Sequence, residues 1–164
     1  MMNQTIGFAA LLAIGGMTSP ASPPKPRHTT SFPTTCRASV PARFSGQPSQ
    51  WLGACVAGKA QGLGVLRIGA RPPFAFLVGR MKEGRPASGL VFNTDKSYAA
   101  ARGFDAHGRI LVADGYHLKE QDAVWADAVL AARSVGDRFA KAGNAGSAAY
   151  YRRFASEIEN GRPE

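Results

Sequence analysis

The sequence predicts an α+β chain in which antiparallel β-hairpins are followed by a C-terminal helical hairpin. Two observations predict it. Glycines recur in pairs five apart (Gly53 and Gly58, Gly79 and Gly84, Gly103 and Gly108), and the pairs begin 26 and then 24 residues apart. A period of that size belongs to a repeated supersecondary unit rather than to an enzyme pocket. After residue 119 the chain turns Ala-rich and, as far as residue 162, free of Pro, with apolar residues at helical spacing.

The N-terminal 21 residues contain no Lys, Arg, Asp or Glu, and an apolar run over 6–17 is followed by Thr18-Ser19-Pro20-Ala21. The run is too short to span a bilayer as a helix. It fits the core of a secretory signal peptide over 1–21, with small residues at Ser19 and Ala21 where a signal peptidase reads. The departure is an n-region with no basic side chain; the competing reading is a buried N-terminal helix or strand. Residues 22–49 form a Pro-, Ser- and Thr-rich lead-in of tether-like composition. An exported chain of this kind is expected to be periplasmic or secreted. The two cysteines, Cys36 and Cys55, then suggest one disulfide that ties the lead-in to the first hairpin. Closing a loop of about 19 residues would stabilise the fold by roughly 3 kcal/mol on the chain-entropy model. Two separate buried thiols are the alternative, and the spacing does not suit a zinc site.

Residues 50–118 carry the hairpins. The first has strands over 50–56 and 62–68 about a turn at 57–61. The second has strands over 74–80 and 88–92 about a turn at 83–86, and the third has strands over 100–105 and 109–114 about a turn at 106–108. Turn glycines accept positive φ without a Cβ penalty. Glycines inside a strand weaken it, and are expected where a flat ring or another backbone comes close. An aromatic from one hairpin lying over the glycine face of the next would supply that contact.

The stretch from Trp51 to Gly64 places an aromatic and then glycines at steps of two, seven, eleven and thirteen residues. This spacing resembles the MORN repeat, a hairpin unit that stacks into an elongated, twisted antiparallel sheet. Residues 51–64 match every fixed position of that pattern. The second unit has Leu77 in the aromatic place, one extra residue before Gly89, and Val91 for the last glycine. The third keeps only Gly103 and Gly108, with Ala101 in the aromatic place. A lead-in with a cysteine ahead of Trp-x-Gly-x-Cys is similar to small exported bacterial proteins with MORN-like units. One glycine-rich hairpin with chance echoes is the competing reading.

Residues 119–164 read as two helices. Trp125, Ala128, Val129, Ala132, Val135 and Phe139 form the apolar stripe of the first, over 121–142. Gly143-Asn144-Ala145-Gly146 interrupts the pattern. The second, over 147–159, carries Tyr151, Phe154, Ala155 and Ile158 on one face, and Gly161-Arg162-Pro163 ends it. The stripes are expected to pack on the sheet or cap its last hairpin.

Charge follows the same boundary: residues 25–119 hold fourteen Lys and Arg against four acids, whereas residues 120–164 hold six against seven. The basic surface expected on the repeats includes Lys59, Arg67, Arg71, Arg80, Lys82 and Arg85. It would attract polyanions. For an exported chain these are an envelope protein first, then anionic lipid or lipopolysaccharide; nucleic acid suits neither the compartment nor the sparse aromatics of this region. A role in solubility alone is the plain alternative.

Catalytic patterns are weak: there is no nucleophile elbow, HExxH or phosphate-cradling loop. His107, Asp114 and His117 are the best acid/base or metal candidates, but the predicted third hairpin need not bring them together. The sequence therefore calls for no catalytic residue, metal or cofactor. It favours a non-catalytic exported binding or scaffold protein, an accessory subunit of a cell-envelope assembly. A periplasmic inhibitor or immunity-type protein is the alternative, with a small metal-dependent envelope hydrolase behind it.

Overall fold

The computed structural model describes residues 36–162. The proposed signal peptide and the first part of the Pro-rich lead-in lie outside the described residues. Seven strands follow in chain order: β1 (Ser49–Trp51), β2 (Ala54–Val56), β3 (Lys59–Ile68), β4 (Ala75–Lys82), β5 (Arg85–Phe92), β6 (Tyr98–Phe104) and β7 (Ile110–Val112). Each pairs antiparallel with its neighbour; β1 and β2 both pair with β3, and the order then runs β3-β4-β5-β6-β7 in an open sheet. Helices α1 (Leu118–Lys141) and α2 (Ala145–Asn160) follow as a hairpin. The predicted α+β class and all three hairpins are present.

Local details differ from the sequence reading for physical reasons. The strand expected over 50–56 is broken at Leu52-Gly53, because the Trp51 ring folds back over Gly53. A Cβ on Gly53 would lie 2.3 Å from that ring, and one on Gly64 would lie 2.8 Å from it. Trp51 therefore covers glycines of its own hairpin, not of the next. Its indole N–H donates to the Ala54 carbonyl at 2.8 Å. The first turn is only Ala57-Gly58, with Lys59 already paired to Val56. The extra residue before Gly89 is a β-bulge: Arg80 pairs with Ser88 and Met81 with Pro86, leaving Ala87 out of register. Pro86 beside it lacks a donor, and a bulge tolerates that.

Side chains alternate across the sheet, and both faces are covered. Val65, Phe76, Val78, Leu90 and Ala100 meet Trp125, Ala128, Ala132 and Val135 of α1 and Tyr151, Ala155 and Ile158 of α2. Leu66, Leu77, Met81, Val91 and Ala101 face the other way, where Trp51 and Phe44 cover them. Phe44 belongs to the lead-in, in a 3₁₀ turn over Ala42–Phe44. From Cys36 on, the lead-in is thus a built layer of the fold, not the tether its composition predicts. The helices join through a tight approach at Gly136, where a Cβ would sit 3.2 Å from the Ala148 carbonyl. The Asn144 side chain caps α2 by accepting from the Ser147 N–H at 3.0 Å. Among the described residues no helix is long and apolar enough to cross a membrane.

Candidate functional site

The meander places the turns at 57–58, 83–84 and 105–109 at one end of the sheet, and those at 69–74 and 93–97 at the other. At the first end, the lead-in runs as a strap across all three hairpins. The Arg37 N–H donates to the Gly58 carbonyl (2.9 Å), the Ser39 N–H to that of Gly84 (2.7 Å) and the Ala42 N–H to that of Gly108 (2.8 Å). These are the second glycines of the three sequence pairs, each at positive φ. The strap is latched by a Cys36–Cys55 disulfide, with Cα atoms 5.8 Å apart. At Gly84 a Cβ would also sit 2.9 Å from the Arg37 carbonyl. Only glycine suits both the turn and the strap there.

The cations predicted to form a binding face, Lys59, Arg67, Arg80, Lys82 and Arg85, do not share one surface. Lys59 and Arg85 flank a cavity of about 400 Å³ at the strapped end, together with Arg37, Ser39, Glu83 and Gly84. Lys82 is the cross-strand partner of Arg85. Arg80 turns to the helices and makes a forked pair with Asp127 of α1, at 3.0 to 3.1 Å. Arg67 lies near the opposite end, its guanidinium 4.7 Å from the centre of the Phe74 ring and donating to Gln50 Oε1 at 2.6 Å. Place along the strands explains the split: Lys59, Lys82 and Arg85 stand at the strapped ends of β3, β4 and β5, Arg80 lies two residues farther in beneath α1, and Arg67 is near the other end of β3.

His107, Asp114 and His117 are not assembled into one site. His107 sits in the last turn, where its N–H donates to Asp105. His117 Nδ1 lies 2.8 Å from Asp114 Oδ1. Hydrogen bonds from the His117 side chain and then the Tyr116 N–H hold the Asp114 carboxyl below its ordinary range. Among the described residues no three His, Cys, Asp or Glu side chains stand close enough to hold a metal.

The unstrapped end holds a feature that sequence reasoning missed. A cavity of about 610 Å³ opens between the turns at 69–74 and 93–97 and helix α2. Nine of the fifteen aromatic residues line it. Phe154 of α2 is wedged between Phe76 and Phe92, with ring centres 5.5 and 5.3 Å away. Tyr98 meets Trp125 edge-on at 5.4 Å. Trp125 is 3% exposed, and among the described residues its Nε1 has no hydrogen-bond partner. Leaving such a donor unmet costs about 1–3 kcal/mol. Tyr98 and Tyr150 stay 44% and 40% exposed at the cavity. Burial pushes the Tyr151 phenol well above its ordinary range, against the opposing pull of the Arg67 charge, so its hydroxyl remains protonated. Phe74, Phe76, Phe92 and Tyr98 come from three strands and a turn, so no local spacing announced their convergence.

Comparison with family models, with curated proteins and with solved structures gives no match for this chain.

Proposed function

We propose that this chain is a non-catalytic exported binding protein, an accessory subunit of a cell-envelope assembly that meets an acidic partner protein at the strapped end of its sheet. One observation carries the reading. Arg37, Lys59, Lys82 and Arg85 gather about the Gly58 and Gly84 turns against the single acid Glu83, and none of the four forms an ion pair among the described residues. Elsewhere on the repeats Arg80 and Arg109 are matched by Asp127 and Asp105. Unmatched cations on a backbone held by turn and strap hydrogen bonds are preorganised, which favours fast association with a complementary surface. The disulfide supports an oxidising compartment, and the hairpin meander supports a MORN-like unit as the source of the sheet.

The test uses the mature chain as bait on an envelope fraction. The Lys59→Glu, Lys82→Glu, Arg85→Glu triple variant should lose partner capture, most clearly at low salt where screening is weak. Its far-ultraviolet circular dichroism should stay that of the parent, because all three side chains are exposed. If the triple variant captures normally while His107→Ala and His117→Ala abolish function, the binding reading fails and a small metal-dependent hydrolase takes its place.

A further inference from the structure

We propose that the aromatic cavity at the unstrapped end is a binding site for a small lipophilic carboxylate. This goes beyond the partner surface proposed above, which lies at the other end of the sheet. The cavity of about 610 Å³ falls within the roughly 300–1,000 Å³ range of small-molecule sites. It is also built as such sites are, from apolar rings with few polar groups. Space is left where the first turn of α2 carries Gly146 and Ser147, which line the cavity without filling it. Phe154 bridges α2 to Phe76 and Phe92 at the cavity wall.

Charge selects the ligand. Arg67 and Lys96 face the cavity against the single acid Glu157. Aromatic faces would otherwise favour a cation, but the Phe74 face is taken by the Arg67 guanidinium. That guanidinium spends one of its five N–H donors on Gln50 and keeps four. It is therefore placed to fork onto a carboxylate at the mouth while an alkyl or aryl body enters among the rings. Trp125 Nε1 is the one buried side-chain nitrogen or oxygen without a partner among the described residues, and its ring forms part of this wall. Hydrogen bonding inside the protein is thus incomplete at the same place.

The two indole N–H resonances provide the readout. Trp51 is bound to the Ala54 carbonyl on the far face, and Trp125 lines the cavity, so a Trp125→Phe variant assigns both. Octanoate titrated into the folded chain should shift the Trp125 resonance and leave that of Trp51 in place. Arg67→Gln should weaken octanoate about tenfold, the loss of one charge-assisted contact, and change 1-octanol by less than twofold. Gly146→Leu should abolish binding of both by filling the cavity. A Cβ there meets only Asn144 Oδ1, at 3.9 Å, so the variant should melt at or above the parent temperature. Octyltrimethylammonium binding as tightly as octanoate would overturn the proposal, and so would a folded Gly146→Leu chain that still binds. A silent Trp125 resonance with all three probes, or binding to neutral phosphatidylcholine vesicles without a response to free octanoate, would also overturn it. None of these outcomes bears on capture at the strapped end, so the two proposals fail separately.

Discussion

Trp51 shows how one side chain determines the sequence around it. Its ring lies so close to Gly53 and Gly64 that no other residue fits either place without moving the indole. It is also 2% exposed and bonded at Nε1. Trp51→Ala should therefore cost about 3–5 kcal/mol in denaturant unfolding, the usual loss for a buried aromatic. Gly64→Val should destabilise through the opposite fault, a clash with Gly53 Cα at 2.7 Å. Near-parent stability for both would remove the ring–glycine stack as the reason for this spacing. The same logic explains why the pattern erodes. Leu77 and Ala101 stand where the later units would carry an aromatic, and a Cβ on Gly103 would make only ordinary contacts, none nearer than 3.7 Å. Gly79 is kept for another reason: it faces Gly89 across the β4–β5 ladder, where a Cβ would come within 2.5 Å of backbone.

The element that distinguishes this chain from a bare hairpin array is the strap. Its three backbone hydrogen bonds to Gly58, Gly84 and Gly108 contribute on the order of 1 kcal/mol each. Phe44 adds apolar burial behind them. The Cys36–Cys55 bridge anchors only the first turn, so its loss should loosen the strap from that end. Cys55→Ser should lower the melting temperature and speed amide exchange at Arg37 and Ser39. Ala42, held at the third turn, should stay protected longer. Uniform exchange along all three, or none above the parent, would show that the latch does not hold the strap. The cysteine count and apparent export pointed to the bridge. Nothing in a Pro-, Ser- and Thr-rich stretch signalled that its end would run along three turns, because those contacts are made by backbone N–H groups that any residue but proline supplies.

Across the whole molecule the two proposed sites sit at opposite ends of a sheet covered on both faces, and that layout carries its own prediction. Saturating octanoate should leave the salt dependence of partner capture unchanged: none of Arg37, Lys59, Lys82 and Arg85 lines the aromatic cavity, and the lead-in meets its wall through a surface hydrogen bond from Arg43 to Asn93 Oδ1 at 3.0 Å. A shift in capture on adding octanoate would mean that the ends are coupled. The same geometry separates what was legible from what was not. Glycine period, turn residues and the helical stripes determined the α+β class, the three hairpins and the helix pair, and left its place open between the sheet face and the last hairpin. All of these follow from local dihedral preference and from burial periodicity, which a linear text records. Tertiary structure alone decided the second covered face, the pairing of Arg80 with Asp127, the separation of Arg67 from Lys59 and Arg85, and the aromatic cavity. Each depends on which residues distant in the chain become neighbours, and on where a helix with Gly146 in its first turn leaves a space unfilled.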